Sequence, residues 1–373
     1  MKPYHRVYAK ISPDNIRHNI EVIKSRFEPD VKIMPVIKAD GYGHGAVEVA
    51  NVLSDIADCF AVATPEELIQ LREAGIRKPI MILGTVPSGR YGEVIWHDAI
   101  IPVYTEQMAK DISEISRIIG KTATVHLALD TGMNRIGFPC DDEGLDIAKK
   151  IYDTPNLEVT GIFTHFATAD SSDKTFSKCQ KECFDEFCTK LEKAGYTLPM
   201  KHVCNSAAIV DMPQFHCNMV RPGIITYGFA PSEDVDIKKL GLRPAMELKS
   251  HLSFVKKVSK GEAISYGCTY VAPDDRVIAT VPAGYADGYP RLLSNSGRVI
   301  VRGQYAPIVG RICMDQFMID VTHIKKAEYG DEVTLMGKDG DCEVSATEIA
   351  NLAQTINYEI ICGIGKRVPR IYE

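Results

Sequence analysis

Lys38, Arg135, His165, Ser206 and Arg221 are the side chains of this sequence whose types and settings could act together. Lys38 ends an apolar run and enters a glycine-studded stretch, MPVIKADGYGHG, spanning Met34 to Gly45. A lysine at the carboxyl end of a buried strand, held among apolar neighbours and near arginines, loses basicity and can attack an aldehyde to form a Schiff base. Ser206 opens a helical pattern in CNSAA, and the Gly223 and Ile224 amides follow Arg221 and Pro222. With Tyr42, these are suitable donors to a phosphate. A phosphorylated aldehyde that condenses with a lysine describes pyridoxal 5′-phosphate (PLP). A sugar phosphate fits the same donors, and an aldolase also uses a lysine, so the residue types leave both open. Singly, each residue has a plainer reading. Lys38 is a solvated strand end, Arg135 a loop arginine, His165 a hydrogen-bonded core histidine and Ser206 a helix cap. Their placement decides.

The elements that must carry them alternate regularly. After a strand at residues 6–11, Ser12 and Pro13 open a helix with Ile16, Ile20, Ile23 and Phe27 at helical spacing. From Val31 to Thr226, eight apolar strand patterns alternate with helical ones over about 200 residues, the signature of a (β/α)8 barrel. The strands are expected at 31–37, 59–63, 79–83, 100–103, 123–129, 157–164, 200–204 and 219–226. Barrel enzymes place their chemistry at the carboxyl ends of the strands. Lys38 ends the first strand, Arg135 follows the fifth, His165 the sixth, Ser206 the seventh, and Arg221 lies in the eighth. The polar stretch Ser232–Asp236 reads as a linker. Beyond it, period-two runs such as RVIATV and GRVIVRG, broken by glycine and proline, predict an antiparallel β domain with one helix at Ala346–Ile356. The expected domains are therefore 1–236, a TIM-like barrel, and 237–373, a mainly antiparallel β domain. Residues 1–11 are candidates to pack with the latter.

Composition excludes several classes. The 373 residues carry a net charge of −6, which gives no electrostatic footprint for nucleic acid. No apolar run reaches the length of a membrane span, and no apolar signal core follows the N-terminal basic residues, so the expectation is cytoplasmic. The eleven cysteines include no Cys-x-x-Cys pair. They read as buried reduced thiols rather than metal ligands, and no metal is expected.

The motifs VIKADGYGHG, LDTGMNRIGF, FTHFATAD, CNSAA, VRPGIITYG, SYGCTYVA, AGYADGYPR, VGRICMDQFMIDV and NYEIICGIGKRVPR, in this order, resemble the bacterial alanine racemases. These are PLP enzymes of a barrel and a β domain, and the resemblance covers almost the whole chain. It implies interconversion of L- and D-alanine, supplying D-alanine for peptidoglycan. By it, Lys38 matches the cofactor-binding lysine and one catalytic base, and Tyr266 the second. Tyr42, Ser206, Gly223, Ile224 and Tyr358 match the phosphate-binding set. Arg221 matches the arginine facing the pyridine nitrogen, His165 the histidine bonded to it, and Arg135 the arginine near the cofactor's phenolic oxygen and the substrate carboxylate. Tyr266, Tyr285 and Met314 match residues that reach the site from the other subunit, so the resemblance implies a homodimer with shared sites. A phenol ordinarily ionises near pH 10. A phenolate base therefore needs positive charge nearby, and His165 and Arg221 are the candidates. Serine-racemising relatives tend to carry a smaller polar residue at the Tyr358 position, so Tyr358 favours alanine. A serine or broader racemase, and a non-racemase PLP barrel protein, are the alternatives.

One position departs from the pattern. The family often has a carbamylated lysine where this chain has Ala128, in HLALDTG. Alanine supplies no carbamate, so an anion such as chloride, or a neighbouring side chain, must balance Arg135. Electron density beside Arg135 is expected to show no carbamylated lysine; finding one would overturn this reading.

Overall fold

The computed structural model describes residues 6–373. Its elements begin with strand β1 (Val7–Ile11) and helix α1 (Pro13–Lys24). The barrel strands follow: β2 (Lys32–Ile33), β3 (Phe60–Val62), β4 (Ile80–Ile82), β5 (Ala99–Val103), β6 (Ala123–Asp130), β7 (Leu157–Phe163), β8 (Met200–His202) and β9 (Met219–Val220). Between them run α2 (Ala46–Val52), α3 (Pro65–Glu73), α4 (Tyr91–Trp96), α5 (Glu106–Ile119), α6 (Asp142–Tyr152), α7 (Thr175–Lys193) and α8 (Ser206–Asp211). Pairing is parallel throughout, from β3 through to β8 and between β9 and β2. Two contacts complete the ring. Val36 bridges Ala61, and the Arg221 amide donates to the Cys204 carbonyl at 3.0 Å. This N-terminal domain is therefore a parallel α/β barrel.

Local chemistry explains the boundaries. Thr64, Thr105, Asp141 and Asn205 each accept a helix amide and start α3, α5, α6 and α8. β3 and β4 are buried along their whole length, as parallel strands covered on both faces must be. The eighth strand is shorter than the predicted 219–226. Pro222 has no N–H to donate, and Ile224–Tyr227 closes into a 3-10 turn instead.

The compact units divide between Arg243 and Pro244, not after Asp236. The second unit holds Pro244–Glu373, the segment ending at Pro13, and Tyr42–His44. It is built on a ten-stranded, mostly antiparallel sheet. Strand β1 belongs to it: Val7 pairs antiparallel with Ser250, and Ala9 pairs parallel with Arg370. The helix expected at Ala346–Ile356 stops at Leu352. Gln354 turns left-handed, and a second helix runs from Asn357 to Cys362. A Cβ on Gly43 would lie 2.3 Å from the Ile361 carbonyl of that second helix, at φ +81°, so only glycine fits.

Two findings were not foreseen. Cys140 and Cys183 form a disulfide, with Cα atoms 6.6 Å apart, where reduced thiols were expected. Helix α7 brings Cys183 against the loop after β6, a contact invisible across a separation of 43 residues. Cys59, Cys188 and Cys204 are buried free thiols. Among the described residues, no helix is long and apolar enough to cross a membrane.

The second finding is a buried carboxylate in the second unit. Asp287 accepts Arg6 Nη1 at 3.0 Å, Arg367 Nε at 2.7 Å and the Gly284 amide at 2.9 Å. Arg367 also reaches Asp315 at 2.6 Å, and the Ala286 amide donates to the Met314 carbonyl at 3.0 Å. This knot holds the Tyr285 turn against the Met314 loop. Burial alone would raise the Asp287 carboxyl, but hydrogen bonds from Arg6 and Arg367 outweigh it and hold it below its ordinary range. Its contribution is thus present above the unfolded carboxylate pKa and lost as pH falls through the lower folded value. Asp287→Asn is expected to destabilise the protein by about 2 kcal/mol, less than a fully buried pair because both arginines are part-exposed. Denaturant unfolding at neutral pH checks this.

Candidate active site

Four of the sequence-derived residues line one cavity of about 280 Å³ in the barrel: Lys38, Arg135, His165 and Arg221. Ala128, Asp130, Met133 and Phe163 complete much of its wall. Each side chain arrives from a different strand end, as barrel geometry requires.

Lys38 sits at a backbone anomaly. Ala39, Asp40, Gly41 and Tyr42 all have φ between 52° and 60°, a left-handed turn of which only one residue is glycine. Each non-glycine residue so placed costs roughly 1–2 kcal/mol. The turn is held by bonds at both ends. The Gly41 amide donates to Ile37 at 2.9 Å, the Asp40 carboxylate accepts the Ala46 amide at 2.9 Å, and the Glu67 carboxylate accepts the Ala39 amide at 2.6 Å. Strain maintained in this way is characteristic of functional sites.

Arg221 is a buried cation at the centre of the barrel. Its Nη atoms meet five acceptors: His202 Nδ1 at 2.6 Å, the His202 carbonyl at 2.7 Å, the Thr164 carbonyl at 2.8 Å, the Val203 carbonyl at 3.0 Å and His165 Nδ1 at 3.3 Å. Among the described residues, no protein acceptor meets its Nε–H. Burial lowers this guanidinium to about 10, which still leaves it charged at neutral pH. An arginine can only donate, so both histidines must present a bare Nδ1. The network thus assigns their tautomers: His165 and His202 carry their protons on Nε2. His202 Nε2 then donates to His126 Nδ1, 2.9 Å away. Burial first, and the Arg221 charge second, push His165 and His126 down to about 3. The same causes hold His202 well below its ordinary value. His165 is therefore held neutral with a fixed Nε2–H, and the positive charge beside it is on Arg221.

Arg135 lies on a loop shaped by Asp130, whose carboxylate accepts the Gly132 amide at 2.8 Å and the Asn134 amide at 3.1 Å. Gln180 of α7 ties this loop to the next. Its amide accepts Ala167 N–H at 2.9 Å and donates to the His165 carbonyl at 3.1 Å and to Thr131 at 3.2 Å. At the far strands, the Gly223 amide donates to Ser206 Oγ at 2.8 Å, and Ile224 begins the adjoining 3-10 turn. In the second unit, the Tyr42 and Tyr358 rings lie 6.1 Å apart. Tyr266 and Met314 line a separate open cavity there with Ser265, Cys313 and Asp315. Tyr266 is 71% exposed and Met314 52%, and Tyr285 is bonded to the same loop through the Cys313 carbonyl at 3.2 Å. His126, His202, Gln180 and Glu67 escaped the sequence reading. The histidines had a signal, a polar residue inside an apolar strand; Gln180 had none.

Residues 11–231 match the alanine racemase N-terminal domain family, and residues 245–372 the alanine racemase C-terminal domain family. An alanine racemase of Desulforamulus reducens is 47% identical over 367 residues, covering 98% of both chains. One from Methanococcus maripaludis is 45% identical, covering 99% of both. Among solved structures, an alanine racemase of Clostridium difficile 630 superposes with a TM-score of 0.95 at 43% identity, covering 100% of this chain and 97% of that one. The alanine racemase from Bacillus anthracis with bound L-Ala-P gives 0.93 at 37% identity, covering 100% and 96%. The chain belongs to the alanine racemase family, and its activity is that of an alanine racemase, an isomerase.

The neutral histidines set a pH dependence. Unfolded His126 takes a proton near pH 6.5, whereas the folded residue does so only near pH 3. Its contribution to stability is thus whole above pH 6.5 and falls by about 1.4 kcal/mol per pH unit below it. His126→Gln, which keeps an acceptor for His202, is expected to flatten the acid limb of the stability curve between pH 6.5 and 4. Denaturant midpoints across that range check it.

Proposed function

We propose that this isomerase interconverts L- and D-alanine on PLP with two bases, Lys38 on one face of Cα and Tyr266 of a second copy of the chain on the other. The observation that carries the reading is the cavity where Lys38, Arg135, His165 and Arg221 converge. Its groups fit the cofactor, with the Lys38 amine for the aldehyde and the Arg221 Nε–H for a ring nitrogen, and Ser206 with the Gly223 amide, outside that lining, offers donors for a phosphate. Bound PLP supplies an electron-withdrawing ring that acidifies the Cα–H of an attached amino acid.

The chain's residues have the following roles. Lys38 holds the cofactor and moves a proton at Nζ. Ser206, the Gly223 and Ile224 amides, Tyr42 and Tyr358 hold the phosphate. Arg221 would donate to the pyridine nitrogen and, as an arginine, would keep its proton, so little charge would be drawn into the ring and transamination would be disfavoured. The fixed Nε2–H of His165, backed by the Arg221 charge, suits a hydrogen bond to a phenolate at Tyr266. Arg135 holds the substrate carboxylate. Tyr358, Tyr285 and Met314 crowd the side-chain end, which favours alanine over serine. Exposed Tyr266 and Met314, on two loops that line one open cavity, support a homodimer with shared sites. The role that fits best is supply of D-alanine for peptidoglycan in the cytoplasm.

Two bases on opposite faces leave an isotopic signature. In D2O, D-alanine formed from L-alanine is expected to carry deuterium at Cα while the remaining L-alanine stays largely protiated early in the reaction. Equal early labelling of both enantiomers would point to a single base. D-alanine formed without label would likewise overturn the two-base reading, because the abstracted proton would then have been returned by the group that removed it.

A further inference from the structure

The left-handed turn after Lys38 needs a cause outside itself. Its first amide, Ala39 N–H, has no partner within the turn and is met by Glu67 Oε1 at 2.6 Å. Glu67 Oε2 accepts the Ala63 amide, just past strand β3, at 2.7 Å. One carboxylate thus joins the ends of the first two barrel strands, with both oxygens used in charge-assisted bonds. Its place in sequence suggests a lesser duty. Thr64 caps α3 and Glu67 is the third residue of that helix, the position from which a glutamate usually reaches back to its own cap. Here it reaches past the cap to the residue that follows the amine.

We propose that Glu67 is the positioning residue for Lys38: its carboxylate, shared between the Ala39 and Ala63 amides, holds the left-handed turn that fixes the direction of the Lys38 side chain. This rests on the reading of Lys38 as the cofactor-bearing amine. Glutamine cannot replace glutamate at this position, because its NH2 would face one of the two N–H groups. The neighbouring Glu66 pairs with Arg90 on the surface and touches neither amide, so it serves as a control for the loss of charge at the same helix start.

The test compares Glu67→Gln, Glu67→Ala and Glu66→Gln holoenzymes by steady-state kinetics and by hydrogen exchange of the peptide spanning residues 38–46. Both Glu67 variants are expected to exchange that segment at least tenfold faster. They should also lose tenfold or more in kcat, with KM for alanine within threefold, since Arg135 and not Lys38 holds the carboxylate. Glu66→Gln should match the unmodified enzyme in both. A Glu67→Gln enzyme with kcat within twofold and unchanged exchange overturns the proposal. So does failure of both Glu67 variants to fold while Glu66→Gln folds, because Glu67 would then support the barrel as a whole. Borohydride reduction separates this from the underlying reading. If it fails to fix the cofactor to Lys38 in the unmodified protein, the Lys38 reading falls, while the exchange measurement still reports on Glu67.

Discussion

The constraint on which the barrel depends is the burial of one positive charge. The Arg221 guanidinium lies inside the barrel, where an unpaired charge is prohibitive. Among the described residues no carboxylate pairs with it. Neutral acceptors solvate it instead: the carbonyls of Thr164, His202 and Val203 and the bare nitrogens of two histidines. That choice has two consequences. The histidines are forced into one tautomer each and kept unprotonated, so their N–H groups point where the network sends them. The charge also stays unbalanced, and its field acts on whatever occupies the cavity. A carboxylate partner would have removed both properties.

Around this centre, the site is assembled by groups that do no chemistry. Asp130 shapes the Arg135 loop, Gln180 joins it to the His165 loop, and Asp40 and Glu67 hold a turn that alanine, aspartate and tyrosine would not adopt unaided. The second unit follows the same principle. Asp287, Arg6 and Arg367 bring together segments far apart in sequence and fix the Tyr285 turn to the Met314 loop. In both units, the candidate side chains are carried on backbone that polar side-chain bonds have already ordered.

Much of this was legible in the amino-acid order. Eight apolar runs alternating with capped helical stretches specify a parallel barrel, because strand and helix periods differ and connections are short. The strand-end positions of Lys38, Arg135, His165, Ser206 and Arg221 followed from that count alone. The family motifs supplied the expected roles of Tyr266, Tyr285, Met314 and Tyr358, which lie in the second unit. Where local rules misled, the competing physics can be named: Pro222 ended the eighth strand early, and a left-handed Gln354 split the last helical segment.

What the sequence by itself determined was the family and the strand ends at which the candidate residues stand. Only the tertiary structure decided their charge and direction. It showed that His165 is neutral, that His202 and His126 extend the network behind Arg221, that Cys140 and Cys183 meet, and that Glu67 grips the turn beside Lys38. Protonation and aim depend on burial and on partners tens of residues away, and local spacing carries no record of either.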